Sequence, residues 1–263
     1  MSDAQQNLVN YEIMGSKGPT VLLIHGLFGD LDNLKRLGRE LESDYRVVAM
    51  DCRNHGDSFH SETMTYAAMA DDVKRLVDEL GLQKISLVGH SMGGKLAMEF
   101  ALTYPDLVQS LIVADVAPVA YDARHRHILD ALEAIDLEQV SNRKEADAQL
   151  AEHIDDRGVR QFLLKNLQRE NEQYQWRLNL PVIDRCYSEI SAGVRDGEFA
   201  GPVLFIKGGD SNYLTEAHRD AVTARFSDVD IKIIEGTGHW LHAEKPRIFN
   251  RLVRAFLEQH SRT

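Results

Sequence analysis

Gly89, His90, Ser91, Met92 and Gly93 follow a short aliphatic run, Ile85 to Val88, and precede a helical pattern from Gly94 to Thr103. A Gly-x-Ser-x-Gly turn between a strand and a helix is so sharp that it lifts the serine hydroxyl clear of the sheet, at the helix's positive end. The chemistry this suits is nucleophilic attack on an acyl carbonyl. A serine hydroxyl is a poor nucleophile at neutral pH, so a base must take its proton and a third group must orient that base. Of eleven histidines, His239 stands in Gly236-Thr237-Gly238-His239-Trp240, after the last predicted strand and before the last predicted helix. That puts it at the sheet's C-terminal edge, where α/β proteins collect catalytic groups, and it fits the chain order serine, acid, histidine.

Two aspartates compete as the orienting acid. Asp115 closes the strand-like run Leu111 to Ala114, whereas Asp210 follows Val203 to Lys207 and the pair Gly208-Gly209. Neighbouring parallel strands bring both to the histidine loop, so spacing leaves both open, and Ser211 is placed to add a hydrogen bond to the acid. The oxyanion of a tetrahedral intermediate needs amide donors, each costing about 3 to 4 kcal/mol when lost. They are expected from Met92, next to the nucleophile, and Leu27, in the glycine-bracketed His25-Gly26-Leu27-Phe28-Gly29 segment.

Other polar residues read as structural. His25, His55, His90 and His242 are expected to be hydrogen-bonded structural histidines, since no third ligand accompanies His242 and His239 to make a metal site. Lys95, one turn after Ser91, is expected to pair with a carboxylate. Asp51, Arg53 and Gly56 are expected to shape a loop, with Ser58 capping the next segment. Phe28, Tyr121, Phe162, Tyr174 and Trp176 are candidates to line an acyl pocket. Arg124-His125-Arg126-His127 is a basic patch that would suit coenzyme A phosphates or an anionic acyl group, against the plainer reading of a solvated helix face.

The elements that position these residues follow from the apolar pattern. Continuous aliphatic runs at Val21 to Ile24, Val47 to Met50, Ile85 to Val88 and Leu111 to Val113 alternate with helical stretches, the signature of a parallel sheet covered on both faces. The clearest helix runs from Tyr66 to Leu80, capped by Thr65 and stopped by Gly81. From 117 to 201 the strand signal disappears into a polar helical text, read as an inserted helical cap. Sheet runs resume at Val203 to Ile206 and Ile231 to Ile234, before a helix over 245–260. The expected organisation is an α/β core of 1–116 and 202–263 interrupted by a cap of 117–201.

Composition bounds the partners. The 263 residues carry 41 acidic and 30 basic side chains, a formal charge of −11, which argues against nucleic-acid binding. Two cysteines are too few for a disulfide framework, residues 1–10 lack a secretory pattern, and nowhere do 18 apolar residues run together. A soluble, cytoplasmic protein without metal or organic cofactor is expected, acting on a small-molecule acyl ester or acyl-coenzyme A, its oligomeric state undetermined by sequence. No phosphate-binding glycine loop follows the first strong strand, which excludes a dinucleotide protein.

His-Gly-Leu-Phe-Gly at 25–29, Asp-x-Arg-Asn-His-Gly-Asp-Ser at 51–58, Gly-His-Ser-Met-Gly-Gly-Lys at 89–95 and Gly-His-Trp-Leu-His-Ala-Glu-Lys-Pro at 238–246 together resemble the serine esterases of the α/β-hydrolase fold. Ala117-Pro118 and Trp176 to Asn179 extend the likeness over nearly the whole chain; it is weakest between 137 and 157. The resemblance implies a mostly parallel central sheet with helices on both faces and a helical cap. It also implies an esterase with thioesterase capability toward short acyl esters and acyl-coenzyme A. It assigns the acid to the position of Asp115; the position of Asp210 is often asparagine in such proteins, so the chain departs from the pattern there. Dehalogenases and epoxide hydrolases of this fold would carry aspartate in place of Ser91. Carbon–carbon bond hydrolases and perhydrolases keep the serine and stand as alternatives, as does a ligand-binding protein on a hydrolase scaffold.

Overall fold

The computed structural model describes residues 8–260; residues 1–7 of the polar N-terminal stretch lie outside the described residues. Its strands are β1 (Tyr11–Met14), β2 (Thr20–Ile24), β3 (Arg46–Met50), β4 (Ile85–His90), β5 (Val108–Ala114), β6 (Leu167–Glu170), β7 (Gln173–Trp176), β8 (Phe199–Gly208) and β9 (Phe226–Ile234). The helices are α1 (Lys35–Leu41), α2 (Tyr66–Glu79), α3 (Met92–Thr103), α4 (Arg126–Glu133), α5 (Arg143–Leu150), α6 (Arg157–Leu163), α7 (Leu180–Arg185), α8 (Tyr187–Ser191), α9 (Arg219–Thr223), α10 (Leu241–Glu244) and α11 (Pro246–His260).

Seven strands form one sheet in the order β1-β3-β2-β4-β5-β8-β9, with β1 antiparallel to β3 and every other pairing parallel. The central strands are apolar at successive positions because both faces are covered. Leu22 and Ile24 face the core formed with α2 and α3, whereas Val21 and Leu23 face the one formed with α1 and α11. Helix α2 begins where Thr65 Oγ accepts the Ala68 amide at 3.2 Å, and the chain leaves it through Gly81 at φ +62°.

The segment between β5 and β8 carries α4 to α8, as its helical periodicity suggests, and also the hairpin β6–β7. The sequence shows no strand there. The hairpin turns on Asn171 and Glu172, both at positive φ, the geometry of a tight two-residue hairpin loop, but glutamate replaces the glycine that would advertise it. Its strands are polar and partly exposed, with no apolar alternation to read. Strand β8 starts at Phe199 rather than after Pro202; a register shift before Pro202 hides the first residues from the pattern. Among the described residues no helix is long and apolar enough to cross a membrane.

Candidate active site

The end of β4 and the start of α3 set Ser91 on a turn that only glycine neighbours permit. Ser91 sits at φ 54°, ψ −119°, a conformation L-residues avoid, held in place by the packing around it. A Cβ on Gly89 would lie 2.2 Å from the Gly93 carbonyl oxygen, and one on Gly93 would lie 2.4 Å from the carbonyls of Ile24 and His25. The turn can therefore press against β2, the strand that leads into the Leu27 loop.

Ser91 Oγ lies 2.8 Å from His239 Nε2, and His239 Nδ1 lies 2.7 Å from Asp115 Oδ2. Asp115 follows β5, also at positive φ (55°), and is fully buried. A buried carboxylate needs donors. Besides the imidazole, the Gly208 amide donates to Oδ1 at 2.9 Å and the Ser211 hydroxyl donates to Oδ2. An imidazole donating from Nδ1 to a carboxylate leaves Nε2 bare to accept the serine proton. Asp210 is exposed, and its amide donates to the Thr237 carbonyl at 2.9 Å, joining the end of β8 to the histidine loop. Structure thus brings Ser91, His239, Asp115 and Ser211 together and leaves the Asp210 carboxylate outside.

The Met92 amide opens α3, so it has no intrahelical acceptor, and among the described residues the Leu27 amide has no hydrogen-bond partner. The next amide, Phe28, is occupied: it donates to His55 Nε2 at 3.2 Å. Phe28 itself stands at φ 63°, and its carbonyl accepts Asn166 Nδ2 at 2.7 Å, so the segment between β5 and β8 pins this loop.

Ser91 and His239 open into a cavity of about 530 Å³ lined by Phe28, Ile128, Val159, Phe162, Leu163 and Trp240, among others. A second space, of about 30 Å³, lies on another side of Ser91 among Lys95, Tyr121, Arg124 and Tyr213. Of the five aromatic candidates, Phe28 and Phe162 line the large cavity and Tyr121 the small one. Tyr174 and Trp176 line neither; they pack from β7 against the core on the α2–α3 side of the sheet.

Residues 19–155 match the family model described as the alpha/beta hydrolase fold. The chain belongs to that family. It is 39% identical to esterase YbfF of Escherichia coli over 238 residues, covering 90% of this chain and 92% of that protein. It is also 39% identical to the mouse sn-1-specific diacylglycerol lipase ABHD11 over 249 residues, covering 91% of this chain and 81% of the lipase. A solved marine microorganism esterase superposes with a TM-score of 0.93 at 37% identity, over 95% of this chain and 99% of that one.

Four histidines around this hydrolase's site are held neutral by burial. His25 accepts the Cys52 amide on Nε2 at 3.0 Å and donates from Nδ1 to the Gly26 carbonyl at 2.7 Å, and burial lowers its pKa. His55, pushed down to about 3 by burial, bridges the Phe28 amide and the Arg53 carbonyl. His90, also lowered by burial, donates from Nε2 to the His239 carbonyl at 2.8 Å and holds that residue's backbone. His242, pushed down to about 4, departs from the expectation of a satisfied histidine. Among the described residues its Nδ1 is buried without a partner, and the ring packs on His90 and Phe249.

Other expectations need correction. Among the described residues Lys95 pairs with no carboxylate; its ammonium donates to the Ser191 and Ala192 carbonyls at the end of α8, so it ties α3 to the segment between β5 and β8. Ser58 caps no helix; its hydroxyl donates to the Asp51 carbonyl and accepts the Asn10 amide. The basic patch is divided. Arg126 is bound by Asp130 and Asp184, Arg124 lies over the rings of Tyr121 and Tyr213, and His125 turns inward to the hydroxyls of Tyr187 and Tyr213. Sequence reasoning missed Tyr213, Trp240 and Asn166, and it read His125 as part of an outward patch and not as a residue turned inward. Only Trp240 carried a signal, as the neighbour of His239.

Proposed function

We propose that this ester hydrolase of the α/β-hydrolase fold works through Ser91 as nucleophile, His239 as general base and acid, and Asp115 as the group that orients the imidazole. The observation that carries the reading is the unbroken relay of 2.8 Å from Ser91 Oγ to His239 Nε2 and 2.7 Å from His239 Nδ1 to Asp115. His239 takes the serine proton as Oγ attacks the acyl carbonyl, and the amides of Leu27 and Met92 receive the oxyanion. The imidazolium then protonates the departing alcohol or thiol, leaving an acyl-serine. A water deprotonated by His239 attacks that ester, and the same two amides hold the second oxyanion before the acid leaves and Ser91 recovers its proton. Ser211 acts in this scheme, with the Gly208 amide, as a donor that keeps Asp115 aimed at Nδ1.

The substrate reading is a short acyl ester or acyl-coenzyme A thioester. The acyl group occupies the apolar wall of Phe28, Ile128, Phe162 and Trp240, with the insertion of 117–201 serving as the cap over it. The esterase and lipase activities named for its relatives support ester cleavage; the thioester half rests on the shared chemistry of acyl transfer. A cytoplasmic setting belongs to the same reading, supported by the free thiols of Cys52 and Cys186.

The test is turnover of a short-chain nitrophenyl ester and a panel of acyl-coenzyme A thioesters, with fluorophosphonate labelling alongside. Wild type should be labelled and turn over at least one substrate, and Ser91→Ala should lose both. Equal residual activity in wild type and Ser91→Ala overturns the assignment.

A further inference from the structure

Strand β9 is nine residues long and ends the sheet, so among the described residues one side of it carries unpaired backbone amides and carbonyls. Native edges are usually short, covered or made hostile by charge. This one is long, and two of its large apolar side chains, Ile231 and Ile233, are 54% and 52% exposed. Register explains where they point. Val229, Ile231 and Ile233 pair with Val203, Phe205 and Lys207 of β8, which puts them on the α2–α3 side of the sheet. The connection that should cover this side ends in α9, only five residues long. A helix of that length spans about 8 Å, against about 30 Å for the strand, and leaves the C-terminal half of β9 bare. Asp230 and Lys232 alternate with the isoleucines on the opposite face, and among the described residues neither forms an ion pair.

We propose that β9 is the seam of a homodimer, in which two copies pair their β9 strands antiparallel about a two-fold axis at Ile231. The edge is complementary to itself. With Ile231 opposite its own copy, Val229 of one chain lies opposite Ile233 of the other, and Asp230 lies opposite Lys232, each twice by symmetry. One face of the seam then joins six β-branched side chains into a stripe, and the other carries two cross-strand ion pairs. Neighbouring registers fail. Moving the axis to Asp230 sets aspartate against aspartate, moving it to Lys232 sets lysine against lysine, and a half-step register puts charges opposite isoleucines. A second copy of this chain therefore fits the edge in a way that a partner without the alternating Asp-Ile-Lys-Ile pattern would not. The pairing joins the two seven-stranded sheets into one and closes both exposed edges at once.

The experiment is sedimentation velocity of the full chain over a micromolar concentration series, with esterase activity as the check on folding, since β9's exposed residues lie outside the catalytic set. Wild type should sediment at twice the 29.7 kDa chain mass. Asp230→Lys sets like charges opposite at both ion-pair positions and should raise the dissociation midpoint about tenfold or more. The double variant Asp230→Lys with Lys232→Asp restores complementary pairs and should dimerise as wild type does. A wild-type monomer overturns the proposal. So does a dimer indifferent to Asp230→Lys, which uses another surface, and so does failure of the double variant to recover, which excludes this register.

Discussion

The ring of Tyr213 stacks on the imidazole of His239, with centroids 3.9 Å apart and planes 19° from parallel. Its hydroxyl lies 3.2 Å from His125 Nε2, and the Arg124 guanidinium lies 4.5 Å from the ring centroid. Asp115 and Ser91 meet the two nitrogens of His239, but both contacts lie at the ring's edge and leave it free to rock about the line that joins them. The flat tyrosine face removes that freedom.

A stacked aromatic pair contributes about 1 kcal/mol beyond its buried area, equivalent to a factor of about five to ten in a rate that depends on the aligned ring. Tyr213→Ala should therefore lower kcat about tenfold with little change in KM, whereas Tyr213→Phe, which keeps the face, should lie within about twofold of wild type. Steady-state kinetics on a nitrophenyl ester decides it. If the two variants lose activity equally, the hydroxyl on His125 is the contact that matters and the stack is incidental.

The two aspartates should separate cleanly. Asp115→Asn leaves the donors from Gly208 and Ser211 in place but favours the wrong imidazole tautomer, and the loss in kcat should approach about 10⁴-fold. Asp210→Asn changes only an exposed carboxylate, because Asp210 contacts Thr237 through its backbone amide, and it should keep wild-type kcat within about twofold. Ser211→Ala removes one of three donors to Asp115 and should fall between them, near about tenfold. A large loss in Asp210→Asn would show that this carboxylate swings inward during turnover.

These contrasts mark what a linear sequence carries. Ser91 and His239 were legible because a strand, a glycine turn and a helix are local, and local patterns survive in sequence. Spacing did not choose between Asp115 and Asp210, because both end neighbouring parallel strands and differ only in how the chain turns after them; only the family resemblance favoured Asp115. Asp115 adopts positive φ and points inward, whereas the two glycines before Asp210 carry it past the site. Tyr213 and His125 were hidden for a related reason: their partners stand 26 and 88 residues away, and no periodicity encodes such a meeting. Lys95 was misread because an ammonium is expected to seek a carboxylate, and here helix-end carbonyls take its place.

The loop after β3 rests on a buried ion pair. Arg53 Nε and Nη2 meet the two oxygens of Asp72 at 2.5 and 2.8 Å, with side chains 7% and 1% exposed. Breaking such a pair leaves a buried charge, at about 3 to 5 kcal/mol. Arg75 also reaches Asp72, so Arg53→Leu should fall at the lower end, about 3 kcal/mol by urea denaturation. The double variant Arg53→Leu with Asp72→Leu should recover more than half of that loss. Additive losses would mean that the pair contributes through packing alone.

Lys95 should make stability depend on pH in a direction opposite to that of an ordinary salt-bridged lysine. Its side chain is 2% exposed, and burial pulls its pKa down to about 7, against about 10.4 for a lysine in the unfolded chain. Below pH 7 both states hold the proton and the penalty of the buried ammonium is constant. Between pH 7 and 10 the unfolded chain still binds a proton that the folded chain has released, so folding is favoured as pH rises. One proton corresponds to a slope of about 1.4 kcal/mol per pH unit. Lys95→Met removes the titrating group. Subtracting its urea-unfolding free energy from that of wild type cancels the contributions of tyrosines and other lysines that titrate in the same window. The difference should be flat below pH 7 and climb in favour of wild type from pH 7 to 10. Parallel curves for the two proteins would mean that the Ser191 and Ala192 carbonyls and the facing rings of Tyr66 and Tyr121 keep the ammonium charged in the fold.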